Sequence, residues 1–231
     1  MFTMIGTTIA MAELYRLLAW LSPAYPIGAF SYSHGVETAV EEGFVKDRAS
    51  LVTWLRTVLR DGTGKVDGAL FASAWRAADA KDWPTFDTIA ERAAAWRGTS
   101  EMALESRQQG GSFLSITRTA WPHPAFDRFG GELALPVAVA LATAAHGIAL
   151  ATSLTGYLHA FTANLISAAV RAVPLGQSDG QLALAALEAD VKAAAAAAIA
   201  VESLDEVGTA TPLLDWCSLR HETQYTRLFR S

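Results

Sequence analysis

Apolar residues recur along most of this chain at intervals of three and four, the spacing that lines one face of an α-helix. Leu14, Leu17, Leu18 and Leu21 form one such face, and Leu51, Val52, Leu55, Val58 and Leu59 form another. Asp47 is placed to cap the second of these helices, and Gly62 to Gly64 to end it. Further helices are expected over 65–79, 84–97 and 100–109, the middle one opening at Pro84, where a missing amide donor costs nothing. Gly110, Gly111, Pro122, Pro124, Gly130 and Gly131 mark 110–132 as a loop-rich connection, with an ambiguous short element at Phe113 to Thr117.

Two strongly apolar helices follow, roughly 136–150 and 153–171, separated by a break near Gly147 to Gly156 and expected to form the core. After the loop Val173 to Gln177, the Ala-rich run from Asp179 to Val201 predicts one long helix, with Ser178 and Gln181 as its capping box. Thr211 followed by Pro212 signals a last helix. With no strand set, repeat or linker, the economical architecture is all-α: a single-domain multi-helix bundle over 12–231 with two central apolar helices. Residues 1–11 are expected to form a flexible N-terminal extension.

Composition narrows the function classes. At 231 residues, 52% hydrophobic and 18% charged, the chain has enough apolar surface for a well-buried core. Its 18 basic and 23 acidic residues give a net charge of −5 with no basic cluster, which argues against a nucleic-acid partner. Cys217 is the one cysteine, so no intramolecular disulfide is available, and the opening residues do not fit a secretory signal. A cytoplasmic protein is expected. Leu133 to Val170 lacks Asp, Glu, Lys and Arg and is long enough to span a bilayer, but its Ala, Thr, Ser and Gly content, Pro136 and two histidines favour buried core helices over a membrane-associated protein.

Catalytic signals are weak. Gly64-Lys65 is followed by Val66 and lacks the upstream glycine of a phosphate-binding loop, so no nucleotide cofactor is expected. The histidines at 34, 123, 146, 159 and 221 have no metal-ligand spacing. A metal-dependent helical-bundle enzyme built on His146 and His159 is the alternative reading, and it lacks carboxylates on the two helices concerned.

Three segments are harder to explain as ordinary helix or turn. In PIGAFSYSHGVE, residues 26–37, Pro26 and Gly28 specify a tight path, while Phe30, Tyr32, Ser33, His34 and Glu37 load it with contact-making side chains. RAVPLGQSDGQ, residues 171–181, carries Arg171, Gly176, Gln177 and Gln181. The end, RHETQYTRLFRS, combines Arg220, His221, Glu222, Tyr225, Arg227, Leu228, Phe229, Arg230 and Ser231, and its concentration of arginine and aromatic side chains suggests docking onto the body of the fold or a partner.

In this order and at these separations the three segments resemble the urease accessory protein F family. Val36, where that family usually has leucine, and Thr226, where it usually has serine, are mild departures, and the similarity in layout runs over about residues 12–231. The resemblance implies a homodimeric, all-helical scaffold without cofactor or catalysis. It further implies binding of the accessory D/H protein and the GTPase G, docking on apo-urease, and support of GTP-dependent nickel insertion. It makes all the residues named in these segments candidates for partner binding, with His34 and Glu37 as candidates for nickel transit. Residues 220–231 are expected to be a docking tail, mobile alone and dispensable for folding.

Overall fold

Alternating helical caps and short connections organise the chain. The computed structural model describes residues 10–231, so the expected extension at 1–11 lies almost wholly outside the described residues, and Met11 already begins the first helix. In α1 (Met11–Trp20) the buried positions are Leu17 and Trp20, while Leu18, expected on the apolar face, stands 66% exposed. A short α2 (Val36–Glu41) follows. In α3 (Arg48–Asp61) the Asp47 side chain accepts from the Ser50 amide and satisfies a donor the first turn leaves free. Leu51, Leu55, Val58 and Leu59 point into the core as the spacing requires. Gly62 alone separates α3 from α4 (Thr63–Asp79), so Gly64 lies inside a helix and not in a turn.

Asp82 caps α5 (Trp83–Ala95), with Pro84 in its first turn. The next helix differs from expectation: α6 runs unbroken over Ser100–Ala120, through Gly110 and Gly111. Those glycines serve packing. A Cβ on Gly110 would sit 2.0 Å from the Leu133 carbonyl oxygen and 2.7 Å from the Leu135 nitrogen. The chain leading into α7 (Leu135–Ala145) therefore presses directly on the α6 backbone.

Every residue of α7 from Pro136 to Ala144 is buried, because the helix is enclosed chiefly by α4 and α6. After a left-handed Gly147, α8 (Leu150–Ala172) buries one face, including Leu154, Leu158 and Leu165, and leaves His159 exposed. No helix among the described residues is long and apolar enough to cross a membrane. The Ala-rich run is two helices, α9 (Gln177–Ala186) and α10 (Glu188–Ile199), broken at the fully buried Leu187. Burial of that side chain overrides alanine's propensity to continue. Gly176, not Ser178, precedes α9, without a side-chain cap. Finally α11 (Pro212–His221) leads into the C-terminal segment. The described residues form an all-α fold without strands, and their buried apolar side chains make one contiguous cluster.

At one end of this core, Trp20 meets Phe113 and Trp121 edge to face, at 6.3 and 5.9 Å between ring centroids. His146 lies 5.3 Å from Trp20 and 5.6 Å from His123. Burial, with the nearby charges of Arg16 and His123, holds the His146 pKa below its usual 6.5 against the pull of the Trp121 carbonyl. The native chain thus prefers the neutral ring, and this contribution to stability is present above pH 6.5 and lost as pH falls through the folded pKa. In thermal melts, His146→Gln should reduce the fall in Tm below pH 6.5; a slope identical to wild type would assign the acid sensitivity to other groups.

Candidate functional site

The segment at 26–37 is bent by three left-handed residues. Gly28 has φ +73°, His34 +56° and Gly35 +77°. Gly28 opens a 3₁₀ turn over Ala29–Ser31. The pair His34-Gly35 reverses the chain into α2, so that Ser33, His34 and Glu37 all face inward. A histidine in this conformation is uncommon and persists because its surroundings fix it. Its Nε2 pairs with the Thr63 hydroxyl at 2.8 Å and its Nδ1 with Glu105 at 3.2 Å.

The C-terminal segment closes over this loop. The Ser33 amide donates to the main-chain oxygen of Ser231 at 2.8 Å, and the Arg230 amide donates to Ser31 at 2.8 Å. The Ser231 hydroxyl donates to Glu105 at 2.8 Å. Glu37 accepts the amides of Leu228 at 2.7 Å and Phe229 at 3.1 Å, one on each oxygen. His221 lies between two carboxylates, 3.1 Å from Glu37 and 2.7 Å from Glu101, and Arg227 donates to Glu101 at 2.9 Å. Both carboxylates also accept amide or guanidinium protons, so the imidazole, the two carboxylates and the chain end form one hydrogen-bonded set. Glu37, Glu101 and His221 are buried, while Arg227 reaches Glu101 from the solvent side. Arg171 completes the clasp, its guanidinium 4.4 Å above the Phe229 ring.

Beneath the clasp the polar interior continues. Burial is the largest single influence on Glu105 and opposes its ionisation, yet His34, Ser231 and Arg97 together hold its carboxyl below the usual range. Arg97 pairs with Asp67 at 2.8 Å, and the Tyr157 hydroxyl donates to Asp67 at 2.8 Å. Burial first, and then Asp67, raise the Tyr157 pKa well above its ordinary value. Cys217, fully buried, is pushed up to about 12 by burial and then by Glu42, so it stays a thiol.

Tyr32, His34 and Glu37, expected near a partner surface, are 3%, 4% and 5% exposed, because their polar atoms face α6 and the C-terminal segment. Residues 220–231, expected as a mobile tail, are stitched to the body by main-chain and buried side-chain bonds, with His221, Phe229 and Ser231 buried. What remains outward is Pro26, Phe30, Arg220, Glu222, Tyr225, Arg227, Leu228 and Arg230 around the clasp, and Gly176, Gln177 and Gln181 at the start of α9. Pro26, Gly28 and Arg230 also line an open cleft of about 920 Å³ against α6 and the glycines at 130–131.

Glu101, Glu105, Thr63, Asp67, Arg97 and Tyr157 were not among the candidates. Their signal was faint: Glu101, Glu105 and Gln109 repeat every four residues on one helix face, a pattern that more often faces solvent. No group of three or more His, Cys, Asp or Glu among the described residues is arranged to hold a metal ion. His146 is occupied with Trp20, His123 and the Trp121 carbonyl while His159 is exposed.

A family model described as UreF matches residues 45–188. A protein of Granulibacter bethesdensis named urease accessory protein UreF is 51% identical over 224 residues, covering 95% of this chain and 94% of its own. Proteins of the same name from Rhodopseudomonas palustris strain BisA53 and Bradyrhizobium sp. strain BTAi1 are each 50% identical, covering 95% and 97% of this chain and 94% and 95% of theirs. Identity at this level across nearly the whole length, together with the family match, places the chain in the UreF family of urease accessory proteins.

Proposed function

We propose that this chain serves urease maturation as a non-catalytic scaffold. It binds the accessory D/H protein and the GTPase G, acts as a homodimer in the cytoplasm, and brings these partners to apo-urease for GTP-dependent nickel insertion. The observation that supports this reading best is the clasp. Its charged interior is consumed by internal bonds, while Phe30, Tyr225 and Leu228 around it stand 67%, 104% and 69% exposed. Large apolar side chains held on a braced backbone suit a docking surface, because little ordering is left to be done on binding. Passage of nickel by His34 and Glu37 would require opening this set, since both nitrogens of His34 and both oxygens of Glu37 are engaged.

The test is a Phe30→Ala, Tyr225→Ala, Leu228→Ala variant co-expressed with the urease subunits and accessory proteins. Its Tm should stay within about 2 °C of wild type, because surface substitutions change stability little. Co-purification with the D/H protein and GTPase, and urease activity, should fall about tenfold or more. A variant that assembles and activates urease at wild-type yield overturns the docking role of this surface.

A further inference from the structure

A second polar feature lies beside the clasp. A cavity of about 160 Å³ lies between the start of α4, the connection at 95–98 and the entry to α11, lined by Thr63, Arg97, Gly98, Met102, Thr211 and Asp215 among others. Arg97 and Met102 also border a smaller space of about 20 Å³ next to Glu105 and Tyr157. The Arg97 side chain is only 6% exposed, and its Nη1 is paired with Asp67 at 2.8 Å. Its Nε and Nη2, both buried, have no hydrogen-bond partner, and neither has the buried hydroxyl of Thr211; Oδ1 of Asp67 meets Arg97 as an ion-pair contact without an aligned hydrogen bond.

The identity of the free atoms matters. Nε–H and Nη2–H lie along one edge of the planar guanidinium and point the same way, the fork that two oxygens of a carboxylate meet side-on. Asp67 occupies a different corner, so it offsets the charge of Arg97 without filling the fork. Leaving charged donors buried and unpaired is costly, and a second unpaired donor, Thr211, borders the same space.

We infer that this cavity binds a small planar oxyanion of the carboxylate class, held side-on by Arg97 with the Thr211 hydroxyl as a further donor. A space of this size suits a ligand of a few heavy atoms. Asp215 borders the same space with like charge, which favours singly charged ligands and weakens their binding. Thr63 borders the cavity and bonds His34, so an occupant lies one side chain from the pair beneath the clasp. The inference is independent of the assembly role.

The probes are formate and acetate, titrated into the full chain at constant ionic strength with chloride as control. Tm and the ¹³C line width of labelled formate report binding. Wild type should show saturable stabilisation and line broadening by formate, with none from chloride. Arg97→Lys keeps a cation for Asp67 but has no fork, and should weaken formate binding about tenfold or more. Thr211→Val should weaken it severalfold; should Arg97→Lys fail to fold, this variant and a crystal grown in formate decide the matter. Density for a carboxylate on Nε and Nη2 supports the site. A wild-type response to formate equal to that of chloride, formate binding unchanged in the variants, or water alone on that edge of Arg97 would overturn it.

Discussion

Deletion of residues 220–231 is expected to leave a chain that is largely unfolded, the reverse of a dispensable tail. The deletion removes His221 and Arg227, the side chains that face Glu37 and Glu101, and the Leu228 and Phe229 amides that Glu37 accepts. A buried ion pair contributes modestly while intact, but stripping one partner leaves an uncompensated charge at about 3 to 5 kcal/mol. Two such carboxylates approach the whole stability of an ordinary domain, about 5 to 15 kcal/mol. Circular dichroism and urea titration of the truncated chain should show a lost or strongly lowered cooperative transition. Adding Glu37→Gln and Glu101→Gln to the truncation should recover part of it, because neutral amides remove the buried charge. A truncated chain whose Tm lies within a few degrees of full length would refute this account of the clasp.

That prediction reverses an expectation drawn from composition, and the reason is instructive. Arginines with Tyr225, Leu228 and Phe229 near a chain end have the make-up of an interface anchor, and a sequence cannot say whether the surface so anchored belongs to a partner or to the same molecule. His221 meets Glu101 across 120 residues and Glu37 across 184, separations at which spacing carries no information. Local rules did better. Asp47 caps the helix it precedes, Pro84 lies in the first turn of α5, and the Leu51 to Leu59 face lies inward. Local rules failed where a nonlocal contact set the outcome, as at Leu187, where burial breaks the Ala-rich helix, and at Gly110, which reads as a breaker but is an approach point.

Gly110→Ala sets these two meanings of glycine against each other. Helix propensity alone favours alanine by about 1 kcal/mol, so a loop-tip or exposed-helix reading predicts a neutral or stabilised variant. The packing predicts the opposite. The new Cβ would lie 2.0 Å from the Leu133 carbonyl oxygen, 2.7 Å from the Leu135 nitrogen and 2.8 Å from the Ala134 carbonyl carbon, all backbone atoms that cannot rotate away. Relief requires the entry to α7 to lift from α6, which would stretch the bond from the Leu135 amide to Ser106, 3.3 Å in the native fold, and loosen a helix buried from Pro136 to Ala144. Overpacking against a rigid neighbour costs about 1 to 3 kcal/mol and occasionally more, and with this overlap the upper end outweighs the propensity gain. Gly110→Ala should therefore lose about 2 kcal/mol net, a fall of about 4 to 8 °C in Tm for a chain of this size. Gly130→Ala is the control: nothing lies within 4 Å of its Cβ position, and its Tm should stay close to wild type. A Gly110→Ala protein as stable as wild type would mean that the entry to α7 yields without cost.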